Sequence, residues 1–363
     1  MHSQDPSKIL VWLSSQLTLK PDRLKLIMSE YSDLETAVAD SFRQCNNHKW
    51  LEKFVKPHDL SLAIDQLYDE LDRHQVKVVT TLDNTYPEKL RIVEDYPIVL
   101  YYQGDWSVIA NSQMITVVGS RNFARYSETV MNKILDPVCQ NGVGVVSGLA
   151  TGIDGLSHEI ALQSGSPTIG ITGSGLADQV FYPTQHTNLK SRIIQSGGIV
   201  ISEYSPLTKA TIYSFPQRNR ILAALTELTW VVQAGHKSGT LITAGLARDL
   251  GKAVATTPAS ILDKGFAGNI QLLKDGASIV TEAEDIFQLM GLQKMSTTPT
   301  QQILFGSDQE KLIYTHLDFE PINTDMLSQK TQINSVEVSM HLTMLELGGL
   351  AQSIGENRWV RCR

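Results

Sequence analysis

The sequence predicts an α/β protein built on a parallel sheet, and two observations support that class. Between residues 114 and 285, short apolar segments rich in Val, Ile and Thr alternate with stretches of helical periodicity. Short β-branched segments of this kind are typical of parallel strands that are buried on both faces. Alternation of strand and helix favours a sheet with helices on both sides. The predicted strands lie at 115–118, 143–147, 168–172, 198–202, 229–233 and 253–256.

The residues before this core predict a small helical domain at 1–75, because apolar residues recur there at helical spacing. One such series is Leu60, Ile64, Leu67 and Leu71. Two further strands are expected at 76–80 and 99–102, so the central domain is placed at 76–290. The helical domain has two possible roles at this point. It either packs against the core or contacts DNA or a protein partner.

A polar segment at 291–303 predicts a linker, and residues 304–363 predict a winged-helix domain of three helices and a hairpin. The expected helices lie at 308–317, 323–329 and 335–347. The third helix places four apolar residues on one face, namely Val336, Met340, Met344 and Leu347.

The charge of this last domain argues against sequence-specific reading of DNA. Residues 304–363 contain five Lys or Arg against eight Asp or Glu. The third helix carries Glu337 and Glu346 but no Lys or Arg, so phosphates would be repelled there. A role of this domain in contacting a protein is therefore favoured over that of a regulator that reads a specific DNA sequence.

Composition limits the possible functions of the whole chain. Its 363 residues suggest two or three domains, and its net charge of −7 means that any nucleic-acid site must be a local patch. The three cysteines, at 45, 139 and 362, show no paired spacing, which predicts a reducing compartment and no zinc site. Neither a signal peptide nor an apolar run of about 20 residues is evident, so a cytoplasmic protein without a membrane partner is expected.

Five successive strand ends carry Gly, Ser, Thr or Arg, which is the most informative pattern in the sequence. Glycine lets a backbone approach an anion closely, and helix N-termini offer free N–H groups. Because the carboxyl ends of parallel strands meet at one edge of the sheet, these loops together predict a phosphate-binding floor. The loops contain Gly119-Ser120-Arg121, Ser147-Gly148, Gly173-Ser174-Gly175, Glu203-Tyr204 leading on to Phe215–Arg220, and Gly235 to Thr240.

Known nucleotide motifs do not fit these loops, so no cofactor is expected. Gly173-Ser174-Gly175 continues to Asp178 where the dinucleotide fingerprint needs glycine. Gly245 to Gly251-Lys252 is one residue too long for a P-loop. Asp154 and His158 lie one helical turn apart and resemble an acid–base pair, but an N-cap at Asp154 and a packed His158 are favoured. No nucleophile or metal cluster is evident.

The segment Phe215-Pro216-Gln217-Arg218-Asn219-Arg220 follows the fourth strand. Pro216 disfavours a helical Phe215, which predicts a helix that begins at or just after the proline. Arginine donors beside an aromatic ring suit single-stranded nucleic acid. Taken alone, an ordinary helix start with a buried Phe and solvated Arg explains the segment better, but four neighbouring loops of binding character favour a ligand site.

The strand-end motifs, in this order and spacing, resemble the DNA-processing protein A (DprA/Smf) family of bacterial single-strand DNA binders. The resemblance covers about 75–285 and adds Ser157-His158, Tyr182-Pro183 and Ser238-Gly239-Thr240 to the segments quoted above. It implies an extended Rossmann domain without catalytic activity. The two ends are similar to the sterile-alpha-motif-like N-terminal domain and the winged-helix C-terminal domain of many members.

The resemblance also implies a function. A family member is a homodimer that binds single-stranded DNA entering by natural transformation, protects it and helps to load the RecA recombinase onto it. The implied DNA-binding residues are Gly119, Ser120, Arg121, Ser147, Gly148, Lys209, Phe215, Arg218, Asn219, Arg220, Ser238, Gly239 and Thr240.

An enzyme is the alternative from another class. Nucleoside monophosphate phosphoribohydrolases are similar in placing a Gly-Thr helix start at a strand end, with a catalytic Glu shortly after it. Here Thr243 stands where that acid would lie. A DNA-binding protein without catalysis is therefore the favoured interpretation.

Overall fold

The computed structural model describes residues 4–17, 19–45, 48–51, 54–292, 305–318 and 320–362. The chain forms two compact units, Met1–Lys294 and Met295–Arg363, and each is described by itself. Most of the predicted linker at 291–303 lies outside the described residues. Within the described part of the chain, no helix is long and apolar enough to cross a membrane.

A nine-stranded sheet organises the first unit. Its strands are β1 (Lys77–Thr80), β2 (Val99–Gly104), β3 (Met114–Val118), β4 (Gly144–Ser147), β5 (Thr168–Ile171), β6 (Ile199–Ser202), β7 (Leu228–Val231), β8 (Ala253–Thr256) and β9 (Ser278–Ile279). They are ordered β1-β2-β6-β5-β4-β3-β7-β8-β9. In this order, every neighbouring pair from β6 through β5, β4, β3, β7 and β8 to β9 is parallel. This arrangement confirms the predicted α/β class and the six predicted strands.

The sheet extends further than strand–helix alternation alone predicts. Strand β2 pairs antiparallel with β6, and β1 pairs antiparallel with β2. The two strands expected at 76–80 and 99–102 therefore lengthen the same sheet instead of forming a separate ribbon.

Helices cover both faces of this sheet. They are α1 (Pro6–Gln16), α2 (Pro21–Glu30), α3 (Leu34–Ala39), α4 (Leu60–Arg73), α5 (Val108–Asn111), α6 (Arg125–Gln140), α7 (Ile153–Gln163), α8 (Thr187–Gln195), α9 (Ser214–Leu225), α10 (Thr240–Asp249), α11 (Ala267–Lys274) and α12 (Ala283–Leu289). Side chains alternate along β3: Ile115 and Val117 pack with α6, α7 and α12, whereas Met114 and Val118 pack with α9 and α10.

The N-terminal helices share a core with the antiparallel part of the sheet. Leu10 and Leu13 of α1 are fully buried and belong to the same apolar cluster as Tyr101 of β2 and Val200 of β6. The helical character of this region is as predicted, while a domain boundary near residue 75 stays a prediction.

Helix α9 begins earlier than expected, at Ser214, so Phe215 is helical and Pro216 is the third residue of the helix. The expected start was wrong by two residues. A proline in the first turn removes an N–H group that has no intrahelical acceptor, so the helix can include it without losing a hydrogen bond.

The second unit has the predicted winged-helix pattern. Its elements are α13 (Asp308–His316), β10 (Ile322–Asn323), α14 (Thr324–Thr331), α15 (Ser335–Leu347), β11 (Ala351–Ser353) and β12 (Arg358–Arg361). Strand β12 lies between β10 and β11, and both pairs are antiparallel. The face of α15 that enters the core consists of Val338, His341, Leu342 and Leu345. The apolar face expected from the sequence points instead to solvent, with Val336, Met340, Met344 and Leu347 exposed.

Candidate nucleic-acid interface

The candidate site lies where the strand order of the sheet reverses. Strand β3 has β4 on one side and β7 on the other, so the connections that leave β3 and β7 diverge at their carboxyl ends. Such a switch point is where open α/β sheets bind ligands. Gln233, just after β7, holds the two loops together: its carbonyl accepts from the Ser120 amide at 2.9 Å, and its Oε1 accepts from the Ala124 amide at 2.9 Å.

The loops after β3 and β4 touch each other, and this contact requires glycine. Gly152 has a φ of +86°, and a Cβ there would lie 2.3 Å from the Ser120 carbonyl oxygen. The same carbonyl accepts a hydrogen bond of 3.1 Å from the amide of Ile153, the first residue of α7. The predicted residues Gly119 to Arg121 and Ser147-Gly148 are therefore brought together by the fold.

A carboxylate of the protein itself binds the amides of these loops. Asp154 is buried, and its Oδ2 accepts from the Gly148 amide at 3.1 Å. The amides of Ala150 and Gly119 lie near enough to this carboxylate to help lower its pKa. Asp154 is not the N-cap of α7, because that position is Gly152. Two amides of the predicted phosphate-binding floor are therefore already engaged within the protein, that of Gly148 by Asp154 and that of Ser120 by the Gln233 carbonyl.

Arg218 of α9 lies against the same carboxylate. Its guanidinium is buried and donates from Nη1 to the Gly148 carbonyl at 2.6 Å. Burial raises the pKa of Asp154 to about 6, although the positive charge of Arg218 and the loop amides oppose that rise. Burial likewise lowers the pKa of Arg218 to about 10, against the opposing effect of Asp154. A Cβ at Gly148 would lie 2.4 Å from Asp154 and 2.6 Å from Arg218, so the glycine makes room for the pair.

Arg220 is also committed within the protein. Its two terminal nitrogens donate to Glu203 at 2.9 and 2.7 Å, and its Nε lies 3.1 Å from Asp95. Burial opposes the charge of Arg220, but these carboxylates outweigh it and raise its pKa. Arg218 and Arg220 are therefore engaged within the protein, whereas the sequence predicted solvated arginines. Asn219 lies between them and accepts a long hydrogen bond of 3.4 Å from Arg218 Nε.

Three side chains lie together at the surface, and we call them the aromatic platform: Tyr182, Phe215 and Arg121. The rings of Tyr182 and Phe215 are 5.6 Å apart and tilted by 59°, and the Arg121 guanidinium lies 5.7 Å from the Phe215 ring centre. Tyr182 is 47% exposed and Arg121 is exposed. Gly173 lies against Phe215, since a Cβ there would be 3.1 Å from the ring.

Tyr182 was missed as a site residue, although Tyr182-Pro183 was one of the matching motifs. Its peptide bond to Pro183 is cis. An aromatic residue at the end of a strand-edge loop is the signal that could have identified it, but its contact with Phe215 joins segments 33 positions apart in the sequence.

The remaining predicted residues lie on two other loops. Ser238 Oγ accepts from the amide of Thr240 at 3.2 Å, and Thr240 begins α10. Gly239 is exposed, with open space where a Cβ would point. Lys209 is exposed on the loop between β6 and α9. Whether the predicted residues contact DNA stays a prediction.

The residues that suggested an enzyme lie inside the protein. His158 is fully buried, its Nδ1 lies 2.7 Å from Thr168 Oγ1, and burial lowers its pKa to about 3. Thr243 is also buried. Among the described residues, no group of His, Cys, Asp and Glu side chains could hold a metal ion. This geometry favours a packed His158 over an acid–base pair.

The largely parallel sheet with helices on both faces defines a Rossmann-like α/β protein. A family model described as DNA recombination-mediator protein A matches residues 77–291, and a model described as the DprA winged helix domain matches residues 295–356. The chain therefore belongs to the DNA recombination-mediator protein A family, also called DprA/Smf, as the sequence motifs predicted.

Individual relatives agree with this assignment. The chain is 35% identical to the DNA processing protein DprA of Bacillus subtilis over 241 residues, which are 64% of this chain and 80% of the relative. It is 32% identical to protein Smf of Escherichia coli, over 73% of this chain and 72% of the relative.

Two solved structures are also similar. The crystal structure of DprA from Streptococcus pneumoniae matches with a TM-score of 0.56 and 29% identity, covering 69% of this chain and 91% of that one. The protein from Helicobacter pylori matches with a TM-score of 0.53 and 27% identity, covering 59% and 94%, and its structure is described as showing a unique single-stranded DNA binding mode.

Replacement of Asp154 by Asn should destabilise the first unit strongly. The amide would leave the buried Arg218 guanidinium without its nearest opposite charge, and a buried charge left uncompensated typically costs about 3–5 kcal/mol. Chemical denaturation followed by circular dichroism measures the loss. The control Glu159→Gln breaks the surface pair with Arg192 and should cost less than about 1 kcal/mol. Equal losses for both variants would contradict the structural role of Asp154.

The neutral state of His158 should make stability depend on pH. Its pKa is about 3 in the folded protein against 6.5 for an unperturbed histidine. Its contribution to the free energy of unfolding is therefore complete above pH 6.5 and is lost as the pH falls, because the unfolded chain then binds a proton that the folded protein does not. Asp154 acts in the opposite direction, because its raised pKa favours the folded state on going from pH 6 towards 4.

Unfolding free energies of wild type and His158→Gln at pH 7 and pH 5 test this expectation. The change between the two pH values should differ by about 2 kcal/mol between the proteins, with wild type losing more on acidification. Replacement of the exposed His316 by Gln is the control. The same pH dependence in wild type and His158→Gln would show that His158 is not held neutral.

Proposed function

We propose that this protein binds single-stranded DNA at the carboxyl edge of its sheet, with the aromatic platform as the centre of the site. The observation that carries this proposal is the contact of the exposed Tyr182 ring with the half-buried Phe215 ring, over which the exposed Arg121 guanidinium lies. Stacked aromatic rings bind bases without regard to sequence, and arginine binds the phosphates between them. Membership of a recombination-mediator family supports the same function.

The exposed and buried groups of the site have different roles in this proposal. Phe215 and Tyr182 stack on bases, while Arg121 binds a neighbouring phosphate. Lys209 and the loop Ser238-Gly239 bind further along the strand. Arg218 and Arg220 act as positioning residues, because their guanidinium groups hold the loops from within.

The negative net charge of the chain makes the platform important for affinity. The chain carries a net charge of −7, so there is no general attraction for a polyanion. Binding therefore depends on stacking and on a few local charges. We expect weak sequence preference and a moderate dependence on salt.

We further propose that the protein acts as a homodimer that protects incoming strands in natural transformation and loads the RecA recombinase onto them. Support comes from the family, whose description is that of a recombination mediator. A site that holds a strand by successive bases and phosphates, without cutting it, suits a protein that passes the strand to another.

Alanine substitutions in the platform should weaken binding to all single strands. Removal of Phe215 or of Tyr182 should cost about 1–3 kcal/mol each, because one base loses its stacking partner. Arg121→Ala should lower the slope of log affinity against log salt by about 0.7, the value for one phosphate contact on a single strand. Fluorescence anisotropy with labelled dT and mixed-sequence oligonucleotides over a salt series measures both effects.

Two variants serve as controls for this experiment. Phe215→Tyr keeps the ring and should retain binding, and Arg248→Ala removes an exposed arginine of α10, 59% exposed, that belongs to no part of the proposed site. The proposal would be refuted if Phe215→Ala, Tyr182→Ala and Arg121→Ala all bound as tightly as wild type. Release of free base from nucleoside monophosphates at a substantial rate would favour the hydrolase instead.

Loading of RecA should depend on the same platform. On single strands that are already covered by a single-strand binding protein, wild type should shorten the lag before RecA hydrolyses ATP. Phe215→Ala should lose this effect, whereas Phe215→Tyr should retain it. A lag that wild type does not shorten would contradict the loading function and leave the DNA-binding result to be judged by itself.

A further inference from the structure

Helix α15 of the winged-helix unit is apolar on two opposite faces, and one of them is left uncovered by the described residues of that unit, 305–318 and 320–362. The core face consists of Val338, Leu342 and Leu345, each at most 1% exposed, together with His341. We call the other face the α15 stripe. It consists of Val336, Met340, Met344 and Leu347, which are 74%, 54%, 55% and 81% exposed.

The four residues form one continuous surface. Their spacing of four, four and three residues keeps them within about 80° of the helix circumference, because each residue turns by about 100°. From the first to the last residue the stripe is about 17 Å long. A helix that is apolar on every side is normally covered on every side, and a rimmed apolar patch on a surface marks an interaction site.

Charge excludes nucleic acid and anionic membranes as the occupant. The helix carries Glu337 and Glu346 and no Lys or Arg, and residues 304–363 have five basic against eight acidic side chains. A DNA backbone would meet like charge here. An interfacial membrane helix would need Lys or Arg on its polar face, which α15 lacks.

Charge also argues against a second copy of this chain. A two-fold pairing of the stripes, whether the helices run antiparallel or parallel, brings together two helices that carry Glu337 and Glu346 and no Lys or Arg. Like charges would then face each other at both ends of the contact, and the two acidic units would repel.

We propose that the α15 stripe is a docking surface for an amphipathic helix of another protein, with apolar anchors at helical spacing and Lys or Arg along both flanks. Its apolar residues would pack between the Met and Leu side chains of the stripe. Its basic flanks would face Glu337 and Glu346, which is the complementarity that directs partner choice in helix-in-groove recognition. This interaction is independent of the proposed DNA site, which lies in the other unit.

A pair of synthetic helical peptides tests the proposal on the full chain. One carries leucines at positions i, i+4, i+7 and i+11 with lysines on both flanks, and the second replaces every lysine with glutamate. By fluorescence anisotropy, the lysine peptide should bind, and the double variant Met340→Ser/Leu347→Ser should weaken its binding about tenfold or more, as loss of central anchors does. Leu262→Ser, which changes a leucine that is 86% exposed in the other unit, should have no effect.

Each other result overturns the proposal. Equal binding of both peptides would remove the charge argument, and equal binding by wild type and the double variant would place the peptide elsewhere. Sedimentation that shows a self-association abolished by the double variant would identify a second copy as the occupant. A fall in affinity for single-stranded DNA in the double variant would make the stripe part of the nucleic-acid site. Circular dichroism confirms that the variants remain folded.

Discussion

The buried backbone of Gly148 is the point on which the carboxyl edge of the sheet depends, because Asp154 and Arg218 both bind it. The Asp154 carboxylate accepts a hydrogen bond from the Gly148 amide, and the Arg218 guanidinium of α9 donates to the Gly148 carbonyl. Segments that are 70 positions apart in the sequence are thereby held at one point. Two buried opposite charges contribute little net stability, because desolvation offsets their attraction, but these hydrogen bonds demand a single arrangement of the loops.

The basic residues at the carboxyl edge of the sheet fall into two groups, one buried and one exposed. Arg218 and Arg220 are anchors, and Arg220 ties α9 to Glu203 after β6 and to Asp95 before β2. Arg121 and Lys209 remain at the surface and are available to a ligand. The buried hydrogen bonds of Arg218 and Arg220 hold the loops in place. The exposed groups on those loops are thereby kept at fixed positions, because residues that contact a ligand need supporting interactions beneath them.

Much of the fold could be predicted because its signals are local. Runs of buried β-branched residues identified six of the seven described strands that pair in parallel, and the strand-end glycines marked the edge at which the candidate site lies. What the sequence did not reveal are partners that are distant along the chain. Nothing in the segment Phe215 to Arg220 shows that Glu203 and the Gly148 carbonyl accept hydrogen bonds from its arginines. The contact of Tyr182 with Phe215 and the exposure of the α15 stripe depend in the same way on tertiary packing.

The carboxylate of Asp154 has a consequence for the kind of molecule that this edge can hold. In nucleotide-binding proteins of related architecture, the amides at a switch point hold the phosphate of a small ligand. Here the Gly148 amide is already bound by a carboxylate that cannot diffuse away. A mononucleotide would lack this part of the cradle that normally gives it affinity, whereas a polymer adds one stacking contact after another along its length. In the proposed function, this arrangement would favour long strands over the cell's abundant free nucleotides.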